Sequence, residues 1–165
     1  MMLGIMRRLI IIFAVSVTYG CNQQLELTTE NLYGSWAYLD EDSSYTEIHF
    51  NDTIYAIHLE NVGLQGFYYW IQNDTILRAN GEDSRIPIAI VKRLTKEEMT
   101  LQRPDQNLEL ERFNYSTDIA FQRLVTDSLD PANSHSYQER AKEFYKSKGI
   151  EWTLIDFEED DLQDE

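Results

Sequence analysis

The chain carries one cysteine, three prolines and seven glycines among 165 residues. A single thiol excludes an intramolecular disulfide framework, so the fold must rest on its own core. So few prolines and glycines exclude collagen-like and low-complexity architectures. Catalytic signatures are also missing: there is no Gly-x-Ser-x-Gly elbow and no glycine-rich phosphate loop. Positive charge is scarce, with 14 Lys and Arg against 29 Asp and Glu and a net charge of −15. Such a surface repels nucleic acid, which excludes nucleic-acid partners and favours cationic ones. What remains is 42% hydrophobic and 26% charged, the composition of one globular domain with a real core.

The first twenty residues differ from the rest. Arg7 and Arg8 precede an apolar run over residues 9–17, and polar Asn22, Gln23 and Gln24 follow soon after. A spanning helix needs about 20 apolar residues, so this run is too short to cross a membrane and reads as a signal peptide over residues 1–20. The lone Cys21 comes next, in Thr18-Tyr19-Gly20-Cys21. Gly20-Cys21 resembles the lipobox of bacterial lipoproteins, in which a small residue precedes a cysteine that is acylated on sulfur and becomes the new N-terminus. Thr18 and Tyr19 depart from that pattern. The resemblance implies lipidation at Cys21, a membrane reached through that anchor, and residence in the bacterial cell envelope on a periplasmic or outer-membrane face. The alternative is an ordinary signal peptide followed by an incidental thiol. Cleavage before Cys21 leaves 12 basic against 29 acidic residues, a net charge of −17, with residues 21–31 as a tether.

The tetrapeptide Asn-Asp-Thr-Ile occurs twice, at residues 51–54 and 73–76, each time between aromatic and β-branched residues. Both copies are expected to be hairpin turns. With Asn51-Asp52 as the loop, Phe50 faces Thr53 and Ile48 faces Tyr55. One side of this hairpin then carries Ile48, Phe50, Tyr55 and Ile57, and the other a solvated row of Glu47, His49, His58 and Glu60. With Asn73-Asp74 as the loop, Trp70 faces Leu77 and Tyr68 faces Ala79, which makes Tyr68 and Trp70 inward residues. Longer loops over residues 95–98 and 104–107 place Leu94 opposite Met99 and Leu101 opposite Leu110.

Further strands over residues 32–39, 86–94 and 119–125 bring the number to about eight or nine, at the spacing of a meander. An open sheet of that size would leave its apolar face wet, so the expected fold is mainly β: an antiparallel meander closed into a small barrel over residues 32–125. One C-terminal helix follows within residues 126–157, running from Tyr137 to Lys148 behind a Ser136/Glu139 capping box and ended by Gly149. Its stripe of Tyr137, Ala141, Phe144 and Tyr145 is a packing face. Residues 158–165 form an acidic tail with little to bury.

Leu32-Tyr33-Gly34-Ser35-Trp36 resembles the opening glycine-x-tryptophan of the lipocalin-like barrels found among small bacterial lipoproteins. The resemblance implies that Trp36 closes one end of the barrel and that Gly34 lets the chain pass closely. Of the consecutive Phe67, Tyr68, Tyr69 and Trp70, two must point outward in a strand. Trp36, Tyr55, Tyr68 and Trp70 are the candidate ligand-binding residues.

Candidate chemistry is thin. His49 and His58 share a face but would need Glu47 or Glu60 to complete a metal site, and the solvated face is the simpler reading. No metal, cofactor or catalytic residue is assigned, and the chain is not expected to be an enzyme. Asp52-Thr53-Ile54, Asp74-Thr75-Ile76 and Asp127-Ser128-Leu129 resemble the Asp-Ser/Thr-apolar sites of bacterial O-glycosylation, which would make Thr53, Thr75 and Ser128 acceptors; plain turn chemistry is the alternative. The expected function is a membrane-tethered envelope lipoprotein that binds a small hydrophobic ligand or envelope component. The alternative is an acidic inhibitor or immunity-type protein that captures a cationic protein partner.

Overall fold

The computed structural model describes residues 23–59, 62–81, 84–126 and 131–152. The signal peptide, Cys21, Glu60, Ser128 and the acidic tail lie outside the described residues. The chain divides into two units, Met1–Ser128 and Leu129–Glu165.

The first unit opens with a single helical turn, α1 (Thr29–Leu32), capped by the Thr28 hydroxyl, which accepts from the Asn31 amide at 3.1 Å. Eight strands follow: β1 (Gly34–Leu39), β2 (Tyr45–Phe50), β3 (Ile54–Leu59), β4 (Gly63–Gln72), β5 (Thr75–Ala79), β6 (Arg85–Leu94), β7 (Glu98–Gln102) and β8 (Asn107–Phe113). Each pairs antiparallel with the next, and β8 pairs back onto β1 through Ser35–Phe113, Trp36–Arg112 and Ala37–Glu111. The result is the expected closed antiparallel meander, which joins the first and last strands and turns one apolar face inward.

Closure explains one correction. Residues 119–125, expected as a last strand, belong to helix α2 (Thr117–Thr126), which lies against β2, β3 and β4. Once β8 has paired with β1, neither of these strands keeps a free edge to receive a ninth. The segment instead buries Thr117 and Ala120, three apart, and leaves Asp118 and Ile119 exposed, a helical period.

The two Asn-Asp-Thr-Ile copies make different turns. At the second, Gln72 pairs with Thr75, and Asn73, at φ +54°, opens the expected two-residue loop. At the first, Phe50 pairs with Tyr55 and the loop moves on to Asp52-Thr53. Asn51 there keeps a negative φ, and its side-chain oxygen accepts from the Thr53 and Ile54 amides at 2.9 and 2.7 Å. The Tyr69 hydroxyl, donating to the Asn51 carbonyl at 2.7 Å, fixes this turn from outside the hairpin. Burial pushes the Tyr69 pKa up to about 12, so the phenol stays a donor. A shift of two residues preserves which side chains share a face, and the inward set of Ile48, Phe50, Tyr55 and Ile57 stands despite the altered register. The same holds at the β7–β8 turn, where Leu101 faces Leu108 rather than Leu110.

The two turns should respond oppositely to glycine. Asn73→Gly relieves a left-handed residue and is expected to be neutral or stabilising by up to about 1 kcal/mol. Asn51→Gly removes two side-chain hydrogen bonds and should cost about 1–2 kcal/mol. Urea midpoints of the two variants check this, and equal responses would mean that the turns are alike after all.

In the second unit α3 (Pro131–Ser147) starts earlier than expected. Proline is suited to the first helical position, which places Ser136 inside the helix, where its hydroxyl accepts from Arg140 Nη1 at 2.6 Å rather than capping. Tyr137, Ala141 and Tyr145 are buried at four-residue spacing. Gly149, at φ +70°, ends the helix as expected, with the Ile150 amide reaching back to the Tyr145 carbonyl at 3.0 Å.

Candidate ligand-binding site

One end of the barrel is shut. Trp36 is fully buried and its Nε1 donates to the Leu32 carbonyl at 2.9 Å. Arg112 lies over the indole at 4.2 Å and donates to the carbonyls of Tyr33 and Asn31 at 2.7 and 2.8 Å. Gly34 is required here: its φ is +133°, and a Cβ would stand 2.7 Å from Arg112 Nη1. Trp36 thus closes the barrel and does not line its cavity, and no sequence pattern marks Arg112 as its partner.

Toward the other end the lumen opens into a cavity of about 400 Å³. Its walls include Phe50, Tyr55, Phe67, Ile76 and Ala89, with Arg78 and Arg103 among them. Alternation along each strand puts these residues inside, and the β3–β4 register decides the aromatic side. Tyr55 pairs with Phe67, so Phe67 and Tyr69 share the inner face and Tyr68 and Trp70 turn outward. This corrects the expected inward placement of the latter two: Tyr68 is 61% exposed, and Trp70 carries Arg85 over its ring at 4.1 Å. The second hairpin's pairing was anticipated, but pairing within one hairpin does not say which of its faces meets the neighbouring strand. Tyr55 alone of the four candidates lies in the cavity wall.

The inner aromatics form a graded stack. Tyr55 and Phe67 rings are 5.4 Å apart and nearly parallel, and the Arg78 guanidinium sits over Phe67 at 4.9 Å. Burial raises the Tyr55 pKa, opposed by Arg78 and more weakly by Arg103. Burial likewise raises that of Tyr38, again opposed by Arg103. Each phenol therefore remains a hydrogen-bond donor beside a permanent cation.

The wall has a gap. β7 ends where Gln102 pairs with Ile90, so residues 85–89 of β6 have no partner on that side. A second cavity of about 380 Å³ occupies the gap, lined by Pro87, Ile88, Ala89, Arg103 and Pro104 among others. Pro87, Ile88, Ala89 and Arg103 line both cavities. A proline suits a strand stretch that pairs on one side only, as Pro87 does with β5.

The outer face of β1–β3 overturns a second expectation. Glu47, His49 and His58, read as a solvated row, are 0%, 1% and 8% exposed. Tyr115 and Phe113 fold over His49, at ring distances of 5.5 and 6.0 Å. His49 Nδ1 meets Ser35 Oγ at 2.8 Å and its Nε2 lies 3.3 Å from Glu47, while the Tyr45 hydroxyl donates to Glu47 at 2.9 Å. Ser35, His49 and Glu47 stand in the order of nucleophile, imidazole and carboxylate. Ser35, however, donates to the Tyr115 carbonyl at 3.0 Å and is 1% exposed, and neither cavity is lined by it. Among the described residues no group of His, Cys, Asp and Glu is arranged to hold a metal ion. Alternation of polar and apolar residues misled here because both faces of these strands are covered. Of the glycosylation candidates, Thr53 is exposed and Thr75 half-buried.

No protein-family model matches the chain, and no curated protein matches it. Two solved structures from Bacteroides uniformis resemble it. A protein solved by NMR shares 18% identity over 57% of this chain and 97% of its own, with a TM-score of 0.46. A lipocalin-like protein solved by crystallography shares 14% identity over 50% of this chain and 99% of its own, with a TM-score of 0.37. The barrel assignment rests on the strand ladder itself.

Proposed function

We propose that this chain is a membrane-tethered binding protein of the bacterial envelope whose barrel lumen holds a small, largely apolar ligand. The observation that carries the reading is the cavity of about 400 Å³, shut at the Trp36 end and walled by Phe50, Tyr55, Phe67 and Ile76. Ligand sites are commonly concave, apolar and roughly 300–1,000 Å³, so a compact ligand fits and a large one does not. The anchor follows from the lipobox-like Gly20-Cys21, and several acyl chains at one residue would hold the domain to a membrane without any help from the fold.

One preparation tests both parts. Protein carrying Cys21→Ser should leave the membrane fraction of a host that lipidates the wild type, and should bind N-phenyl-1-naphthylamine, a neutral apolar fluorophore, at one site. Ala89→Leu, which fills the lumen from β6, should weaken that binding about tenfold with an unchanged melting temperature. Retention of the serine variant on membranes would sink the anchor, and indifference of the fluorophore to Ala89→Leu would sink the lumen. A second reading, capture of a cationic protein, is favoured by the net charge of −15. It requires affinity that falls steeply with salt, whereas apolar burial does not.

A further inference from the structure

The lumen holds two cations that the apolar reading does not use. The other arginines of the barrel with described side chains have visible duties: Arg93 pairs with Glu98 at 3.1 Å, Arg85 lies on Trp70, and Arg112 binds two carbonyls. Arg78 also lies on a ring, that of Phe67 at 4.9 Å, but it and Arg103 differ from the others in facing the cavity. Both are half-buried in the cavity wall, and among the described residues neither has a carboxylate within 4.0 Å. That is unexpected in a chain with 29 acidic residues. Guanidinium groups withdrawn from water are ordinarily paired, and the two here lie beside phenols. Tyr55 feels both arginines, and Tyr38 feels Arg103. Two cations and a phenolic donor converge on a space whose remaining walls, Gln65 apart, are apolar.

We propose that the lumen ligand is an amphiphile with a carboxylate head, bound between Arg78 and Arg103 with Tyr55 as an additional donor, and with its apolar tail against Phe50, Phe67 and Ile76. This rests on the lumen reading above and makes it specific. A carboxylate matches the planar fork of arginine and accepts two bonds from it. Arg103 lines both the lumen and the side opening at β6, so the head lies where the wall is interrupted and the tail points inward. The cavity of about 400 Å³ lies toward the small end of ligand sites, so the tail is short. The protein's overall negative charge would slow the approach of such a ligand, and the two lumen arginines set a local field of opposite sign.

The test compares head groups on one tail. Full-length Cys21→Ser protein, loaded with N-phenyl-1-naphthylamine at pH 7.5, is titrated with decanoate and with decan-1-ol. Decanoate should displace the fluorophore at a concentration at least about tenfold lower than decanol, a difference of ~1.4 kcal/mol. Arg78→Gln and Arg103→Gln should each remove most of that preference and leave decanol binding unchanged, while Arg103→Lys, which keeps the charge, should retain part of it. Melting temperatures of all variants report folding. Equal displacement by the two compounds, or an unchanged preference in both glutamine variants, overturns the carboxylate site and leaves the lumen reading standing. Displacement by neither compound overturns both.

Discussion

Alanine in place of Trp36 is expected to destabilise the barrel by about 3–5 kcal/mol, the range for removing a large aromatic from a core. The loss is not only of buried area. Trp36 is 0% exposed and its indole N–H holds the Leu32 carbonyl. Its ring also supports Arg112, which in turn ties Tyr33 and Asn31 to β8. Without the indole, Arg112 keeps its two carbonyls but loses the surface that makes a half-buried guanidinium tolerable. Burial already lowers the Arg112 pKa, with Glu97 opposing. Trp36→Phe should recover a large part of the stability, since it restores a ring beneath the cation and lacks only the N–H. Gly34→Ala should be damaging for a separate reason, because the new Cβ meets Arg112 Nη1 at 2.7 Å in a backbone conformation that disfavours L side chains. Urea unfolding measures all three. Trp36→Phe should leave fluorophore affinity in the lumen intact, because Trp36 is absent from the cavity wall. A Trp36→Ala protein that unfolds at the wild-type midpoint would show that the closed end carries no stability.

The sequence exposed the strands and the closure, and it did so for a physical reason: eight short apolar-alternating segments with turn residues between them have few ways to bury one face. Faces within the first hairpin were legible because β-sheet parity survives a two-residue slip, so Ile48, Phe50, Tyr55 and Ile57 could be grouped correctly from an incorrect loop. Parity between hairpins was not legible. Nothing in Phe67-Tyr68-Tyr69-Trp70 states which pair meets Tyr55, and the β3–β4 register supplies that answer. The helix at Thr117–Thr126 was hidden for a related reason, since Ile119, Phe121 and Val125 all fit a strand's period of two while only Phe121 and Val125 stand at helical spacing. Arg78 and Arg103 were not legible, because an arginine in an alternating strand or at a turn reads as surface. Their site comes from the curvature of the barrel, which brings β5 and the β7–β8 turn to one cavity.

The same limit governs the outer face, where the second test lies. Glu47→Ala is expected to cost about 1–3 kcal/mol, the range for removing one member of a buried hydrogen-bonded network. Glu47 is 0% exposed, accepts from the Tyr45 hydroxyl at 2.9 Å, and lies 3.3 Å from His49 and 3.9 Å from His58. Alanine takes away the carboxylate that the Tyr45 hydroxyl and His49 share. Glu47→Gln keeps the shape and one acceptor and should cost markedly less. Asp105→Ala, at an exposed turn, is the matched control and should stay within about 0.5 kcal/mol. A double-mutant cycle of Glu47→Ala with His49→Ala should return a coupling of at least about 1 kcal/mol, because the two groups share one network. If Glu47→Ala instead behaves like Asp105→Ala, the row Glu47, His49 and His58 is solvated as plain alternation implies, and the outer face of β1–β3 becomes a surface open to a cationic partner. A large cost removes that face from contention, because a carboxylate committed to Tyr45 and His49 inside the protein cannot also attract a partner from solution. The charge-capture reading would then have to rely on acidic residues elsewhere, and the lumen would remain the concave site best suited to bind.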